Sequence, residues 1–256
     1  VTPFILRRNK KEVLTELPDR IEQNIILPFN DEEEKLYVAN LAKANKELQE
    51  LYDLEGSDKM QILKLLTRLR QLCLEPRLVY DNIDQPSSKL KACMELIKTM
   101  QENKQKVLLF SSFTSVLDLI AEECQKAGIT YYMLTGSTNK EDRRELVSRF
   151  QKDDTTVFLI SLKAGGTGLN LTSAEAVIHF DPWWNVSAQN QATDRAYRIG
   201  QKNNVQVFNL VMKDSVEEKI IELQKRKKEL ADMFVENNSG GLSQMSKEDI
   251  LSLFTM

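Results

Sequence analysis

Apolar residues are spaced differently before and after residue 88, so the two regions of the chain have different predicted structures. In the first region, the segment 20–29 suits a strand. Apolar residues then recur at three- and four-residue intervals over 37–51 and over 62–72, which is the periodicity of helices with one buried face. We therefore predict one strand and two helices, followed by a polar linker at 81–88.

After residue 88, short apolar runs alternate with helical patterns. Each run is apolar throughout, which is typical of strands buried on both faces of a parallel sheet. The chain is accordingly predicted to form an α/β doubly wound parallel sheet, with a long helix at 215–236 and a short one from Ser246. The predicted strands of this region are 106–110, 129–134, 156–161, 175–180 and 204–211.

The loops after the first four of these strands hold the candidate chemistry, because ligands of such sheets bind beyond the carboxyl ends of the strands. Small hydroxyls, glycines and open N–H groups suit phosphate oxygens, and an exposed tryptophan can lie against a nucleic acid. Helix capping or a glycine-rich turn explains any one loop equally well, but four loops at one edge favour an anion site. The loops are SSFTS (111–115), TGSTNKEDRR (135–144), SLKAGGTGLNLT (161–172) and DPWWN (181–185).

Two arginines follow the last of these loops, within QNQATDRAYRIGQ (189–201). A helix predicted at about 186–199 would place Arg195 and Arg198 one turn apart at the same edge of the sheet. A guanidinium group binds phosphate through two parallel hydrogen bonds, which lysine cannot do. Surface ion pairs, for example with Asp194, are the simpler alternative, but the neighbouring loops favour phosphate binding.

Composition refines this interpretation. The 256 residues are 41% hydrophobic with a net charge of −3, so a sizeable core is possible and a nucleic acid would need a local basic groove. The three cysteines fall on apolar helical stripes and are predicted to be buried thiols, and a single histidine, His179, excludes most zinc sites. No segment resembles a signal peptide or a membrane span, so we expect a soluble, intracellular protein. The missing initiator methionine suggests a piece of a longer chain.

Four stretches of the chain resemble, in order, the motifs of one protein family. Together they resemble helicase motif four, the accessory motif after it, motif five and motif six of the Swi/Snf family, whose members are ATP-dependent DNA translocases of helicase superfamily two. Upstream, PFILRRNKKEVLTELPDRIEQNI resembles the segment that joins the two lobes of the family, and LTRLRQLCLEPRLV resembles the helix that follows. The four stretches are KVLLFSSFTSVLDLI, YMLTGSTNKEDRRELVSRFQ, VFLISLKAGGTGLNLTSAEAVIHFDPWWN and QATDRAYRIGQ.

The resemblance implies that this chain is the second of two RecA-like lobes. Its parts would be a lobe-linking segment with a helical insertion (1–88), the lobe itself (89–213), and a brace helix with a tail (214–256). ATP and Mg²⁺ would be held mainly by the first lobe, since this sequence has no G-x-x-x-x-G-K-[ST] loop and its DEEEK at 31–35 begins a helix. The chain alone is therefore expected not to hydrolyse ATP.

The resemblance also implies roles for individual residues, none of them a metal ligand. Arg195 and Arg198 would be arginine fingers that reach the ATP phosphates across the cleft between the lobes, and Trp184 would lie against the DNA. Residues implied near the nucleotide or the fingers are Gly168, Asn170, Gln191 and Asp194, and those implied to contact the DNA backbone are Ser111, Ser112, Gly136, Ser137, Lys163, Ala164, Gly165 and Gly166.

The expected function is ATP-driven translocation along double-stranded DNA, with DNA-bound proteins as further partners. Two positions depart from the family pattern: Tyr197 replaces a histidine between the arginines, and CLEPRL (73–78) replaces CNHPRL, which suggests a diverged, bacterial member. The protein would then act in the cytoplasm or nucleoid, whereas a eukaryotic member would act in the nucleus. One alternative is a phosphate- or DNA-binding or protein-docking module without catalysis. Another is a nucleotide-dependent oxidoreductase, which the glycine spacing disfavours.

Overall fold

A six-stranded sheet, in which every strand is parallel to its neighbours, forms the centre of the molecule. The computed structural model describes residues 18–53, 59–165, 169–233 and 247–255. The strand order is β1–β6–β5–β2–β4–β3, so the predicted doubly wound α/β fold is confirmed. The strands are β1 (Arg20–Leu27), β2 (Val107–Ser111), β3 (Tyr131–Leu134), β4 (Val157–Ser161), β5 (Ala176–His179) and β6 (Val205–Met212).

Helices lie before, between and after these strands. Two long helices follow β1, and one long helix follows β6. The helices are α1 (Asp31–Asp53), α2 (Lys59–Leu74), α3 (Ser88–Glu102), α4 (Thr114–Lys126), α5 (Lys140–Lys152), α6 (Leu162–Gly165), α7 (Val186–Thr193), α8 (Val216–Met233) and α9 (Lys247–Ser252), with a 3₁₀ turn at Pro76–Leu78.

Adjacent residues of each central strand face opposite sides of the sheet, which explains why the strands are apolar throughout. In β2, Leu109 packs with residues of α3 and α4 on one face. Leu108 and Phe110 pack on the other face, with residues of α5 and α7. All three side chains are fully buried. The sheet is therefore covered on both faces, and its loops emerge where the strands begin and where they end.

The N-terminal segment contributes both to the sheet and to a third apolar cluster. β1 pairs along its whole length with β6. Asn30 and Glu33 form a reciprocal cap at the start of α1, since each side chain accepts a hydrogen bond from the other residue's N–H. α1 and α2 pack against α8 and α9, and the hydroxyl of Tyr37 accepts a hydrogen bond of 2.7 Å from the N–H of Val216. The helical segment is thus anchored to the start of α8. The division of the chain into three parts stays a prediction.

Two local predictions were wrong. The helix predicted at 186–199 ends at Thr193, and the chain continues in turns. The hydroxyl of Thr193 lies 2.9 Å from Nε2 of the buried His179. Beyond it the hydrogen bonds become irregular in span, and the N–H of Arg198 donates to the carbonyl of Ala196, only two residues back. The glycine-rich loop at 161–172 likewise begins with one helical turn, α6.

The three cysteines are buried free thiols, as predicted. Burial raises the pKa of each thiol, to about 12 for Cys124, so these groups stay protonated and unreactive. Over the described ranges, no helix combines the length and apolarity needed to cross a bilayer.

Candidate functional site

The four predicted loops lie at the carboxyl edge of the sheet, because all the strands run in the same direction. β2 and β4 are direct neighbours, and their last residues, Ser111 and Ser161, are paired in register. β5 lies on the other side of β2, and β3 on the other side of β4. The loops after β3, β4, β2 and β5 therefore follow one another along one rim of the molecule, as the sequence predicts.

Asp181 ties the loop after β2 to the loop after β5. Its Oδ1 accepts hydrogen bonds from Ser111 Oγ (2.7 Å) and from the N–H of Ser112 (3.0 Å), and its Oδ2 accepts one from Ser112 Oγ. Ser111 and Asp181 are buried, whereas Ser112 is partly exposed. Ser112 therefore reaches the surface, whereas Ser111, which is also implied to contact DNA, serves as an internal tie.

Arg70 on α2 is a rim residue that the sequence analysis missed. Its Nη2 donates to Asp181 Oδ2 (2.8 Å), Ser112 Oγ (3.0 Å) and the Pro182 carbonyl (3.2 Å). Its guanidinium carbon lies 5.5 Å from the ring centroid of Trp184, which is partly exposed. The sequence offers one signal that could have identified Arg70: it lies beside the apolar stripe of a predicted helix, where a charged side chain needs a partner.

The glycine-rich loop brings the third element to the rim. Lys163 is exposed, whereas Ala164 and Gly165 are buried. A Cβ at Gly165 would lie 3.0 Å from Cε1 of Phe110, so the close approach of the backbone requires glycine here. Gly166 and Gly168 lie outside the described residues.

The arginine segment is fastened to that loop. Arg195 Nε donates to the Gly165 carbonyl (3.1 Å), and the Arg195 carbonyl accepts the N–H of Leu171 (3.0 Å). Burial and then the charge of Arg198 hold the pKa of Arg195 below its ordinary value, while Asp194 acts in the opposite direction. Arg195 is partly buried and Arg198 is exposed, and the charge of each is felt at the same part of the rim.

Four further predicted residues are exposed. Gln191 and Asn170 are exposed, and the Asn170 carbonyl accepts a hydrogen bond from Gln151. Gly136 and Ser137 are exposed in the turn after β3, where Ser137 Oγ lies 2.8 Å from Thr135 Oγ1.

Beside this turn is a groove of about 800 Å³ with a strongly basic lining. The charge is local, as the net charge of −3 requires. In the described ranges, no group of three His, Cys, Asp or Glu residues is arranged to hold a metal ion. The groove is lined by Thr138, Lys140, Arg143, Arg144, Val147, Ser148, Leu169 and Asn170.

Comparisons with known proteins identify the family of the chain. Residues 88–200 match the helicase conserved C-terminal domain, and residues 1–78 match the SNF2-related domain. An uncharacterized ATP-dependent helicase of Mycoplasma pneumoniae is 38% identical over 254 residues, which are 99% of this chain and 24% of that protein. The chain thus spans about a quarter of the length of the curated relatives it matches.

Solved structures show the same relationship. The Sulfolobus solfataricus SWI2/SNF2 ATPase core in complex with dsDNA has a TM-score of 0.75 and 31% identity, over 98% of this chain and 54% of that one. The C-terminal part of the Fun30 ATPase domain has a TM-score of 0.73 and 26% identity, over 93% of this chain and 99% of that one. The chain therefore belongs to the Swi/Snf family and corresponds to its C-terminal, RecA-like helicase lobe.

Proposed function

We propose that this chain is the second ATPase lobe of an ATP-dependent double-stranded DNA translocase. The observation that carries the proposal is the hydrogen bond between Arg195 and the Gly165 carbonyl, because it holds the arginine segment against the glycine-rich loop at the rim. Relatives named as ATP-dependent helicases, and a similar structure in complex with dsDNA, support the same function.

In this function, Arg195 and Arg198 bind the ATP phosphates that the first lobe presents. Partial burial and the charge of Arg198 both disfavour the charged form of Arg195, so a phosphate chain that enters between the lobes stabilises that form. ATP thereby favours the closed arrangement of the lobes, and hydrolysis removes that preference. Mg²⁺ and the phosphate-binding loop come from the first lobe.

DNA binds along the rest of the rim through its backbone. Ser112, Ser137, Lys163 and Trp184 offer hydroxyls, a cation and an aromatic face, none of which reads base sequence. Binding is therefore independent of sequence. The logarithm of the DNA affinity falls linearly as the logarithm of the salt concentration rises.

The decisive experiment uses a protein in which a first lobe precedes this chain. Arg195→Ala and Arg198→Ala are each expected to lower DNA-stimulated ATP hydrolysis by about 10³–10⁵-fold. Lys126→Ala is the matched control, because Lys126 is an exposed cation at the end of α4, on the opposite edge of the sheet. Turnover at the wild-type rate in both arginine variants would exclude the finger assignment. DNA binding without any ATPase activity in the two-lobe protein would favour a non-catalytic module.

A further inference from the structure

The guanidinium group of Arg70 joins three parts of the fold that are distant in sequence. Arg70 belongs to α2, Ser112 follows β2, and Asp181 and Pro182 follow β5. One nitrogen, Nη2, lies within 3.2 Å of an oxygen of each of these three partners, and the Arg70 side chain is only 7% exposed. Arg70 therefore joins the helical segment before the lobe to the rim, where Trp184 also packs against the apolar cluster of that segment.

Three aromatic rings surround this guanidinium group. Its central carbon lies 5.0 Å from the ring centroid of Phe113, 5.5 Å from that of Trp184 and 6.0 Å from that of Trp183. Phe113 belongs to the loop after β2, and the two tryptophans belong to the loop after β5. The cation thus lies within cation–π distance of three rings at the junction of the two loops.

The hydrogen-bond geometry shows what this arrangement favours. An arginine placed only to neutralise Asp181 would use two nitrogens side by side on the carboxylate. Here Nη2 alone contacts Asp181, and Nε, although buried, meets no hydrogen-bond acceptor in the described part of the chain. The guanidinium group thus forgoes a second hydrogen bond to Asp181 and lies among the three rings, so its contacts include the loops as well as the carboxylate.

We propose that Arg70 is a positioning residue for the DNA-binding rim, which holds Ser112 and the Trp183–Trp184 turn in the geometry that receives the DNA backbone. This inference rests on the proposed function, in which Ser112 and Trp184 contact DNA. It makes α2, in the segment before the lobe, part of the DNA-binding apparatus. Lysine cannot replace Arg70, because a compact ammonium group cannot bond Ser112, Asp181 and Pro182 and at the same time spread a planar cation among the three rings.

The chain offers a matched control two residues away. Arg68 also lies on α2, and its guanidinium carbon also lies close to an aromatic ring, 5.4 Å from the centroid of Tyr80. Its Nε donates to Asn40 at 2.9 Å, so its contacts stay within the helical segment. Arg68→Lys thus imposes the same chemical change on the same helix without touching the rim.

The test compares Arg70→Lys with Arg68→Lys in two assays. The 256-residue chain contains only two tryptophans, Trp183 and Trp184, so its intrinsic fluorescence reports the rim directly. Arg70→Lys is expected to shift the emission and increase acrylamide quenching, whereas Arg68→Lys leaves both unchanged. In the two-lobe protein, Arg70→Lys is expected to raise the DNA concentration for half-maximal ATPase stimulation about tenfold, with little change in the rate at saturating DNA.

A double-mutant cycle separates positioning from general loss of structure. If Arg70 acts through Trp184, Arg70→Lys in a Trp184→Phe background changes the DNA requirement by less than it does in the wild type. Additive effects, or unchanged fluorescence and DNA requirement in a folded Arg70→Lys variant, overturn the inference. If the unmodified two-lobe protein binds no DNA, the proposed function fails instead. The fluorescence result then decides separately whether Arg70 orders the turn.

Discussion

A buried ion pair between Lys89 and Glu217 joins the lobe to the long helix that follows it, and removing this pair should destabilise the fold. Lys89 Nζ lies 2.6 Å from both carboxylate oxygens of Glu217, and both side chains are 0% exposed. The pair links the start of α3 to the start of α8. Lys89→Met keeps most of the side-chain volume, but it leaves a buried carboxylate whose remaining donor is the N–H of Met212, at 2.9 Å.

The structure sets the size and the pH dependence of the effect. Removing one partner of a buried ion pair costs about 3–5 kcal/mol, which for a chain of this length lowers the Tm on the order of 10 °C. Burial raises the pKa of Glu217 above its ordinary 4.5, and Lys89 acts against that rise. Without Lys89 the pKa of Glu217 rises further, so the folded state holds a proton that the unfolded state releases. The free energy of unfolding must then fall as the pH rises from 4.5 through the raised pKa.

Urea unfolding at pH 5 and pH 8 measures this difference. Lys89→Met should lose more stability at pH 8 than at pH 5. The double variant Lys89→Met/Glu217→Gln keeps an acceptor for Met212 without a charge, so it should recover most of the loss and show no added pH dependence. Lys126→Met breaks the exposed pair with Glu123 and should cost less than about 1 kcal/mol. Equal losses in Lys89→Met at both pH values would refute the argument that an isolated buried carboxylate causes them.

Three further predictions concern stability. Burial lowers the pKa of His179 from 6.5 to about 4. The neutral His179 therefore contributes its full share to the free energy of unfolding above pH 6.5, and this share is lost as the pH falls toward 4. The variant His179→Gln should therefore lose about 3 kcal/mol less stability than the wild type on acidification, which is measured as a flatter profile of unfolding free energy against pH. Phe254→Ala, at a 1% exposed position, should cost about 3–5 kcal/mol in urea unfolding, whereas Leu251→Ala, at 38% exposure, should cost about 0.5 kcal/mol or less. Gly165→Ala should cost about 1–3 kcal/mol in thermal denaturation, because its methyl group would meet the buried ring of Phe110, whereas a Cβ at Gly136 meets nothing within 4 Å.

The sequence determined the sheet and the shared rim, because both follow from local patterns. Runs that are apolar throughout require strands buried on both faces, and helices between them require parallel pairing. Parallel pairing alone then places the ends of β2, β3, β4 and β5 at one edge, without any knowledge of the strand order. The motifs in those loops were sufficient to identify the family.

Only the tertiary structure decided which side chains of the rim contact one another. Arg70 and Asp181 are 111 residues apart, and no periodicity along the chain connects them. The end of α7 likewise contacts His179 from β5, and the place of β1 at the edge of the sheet depends on pairing with β6. Helical and strand spacing carry information over a few residues, whereas a buried charge selects its partner through the low dielectric of the assembled core. The local pattern therefore fixed where the rim lies, and long-range packing fixed how its residues are held.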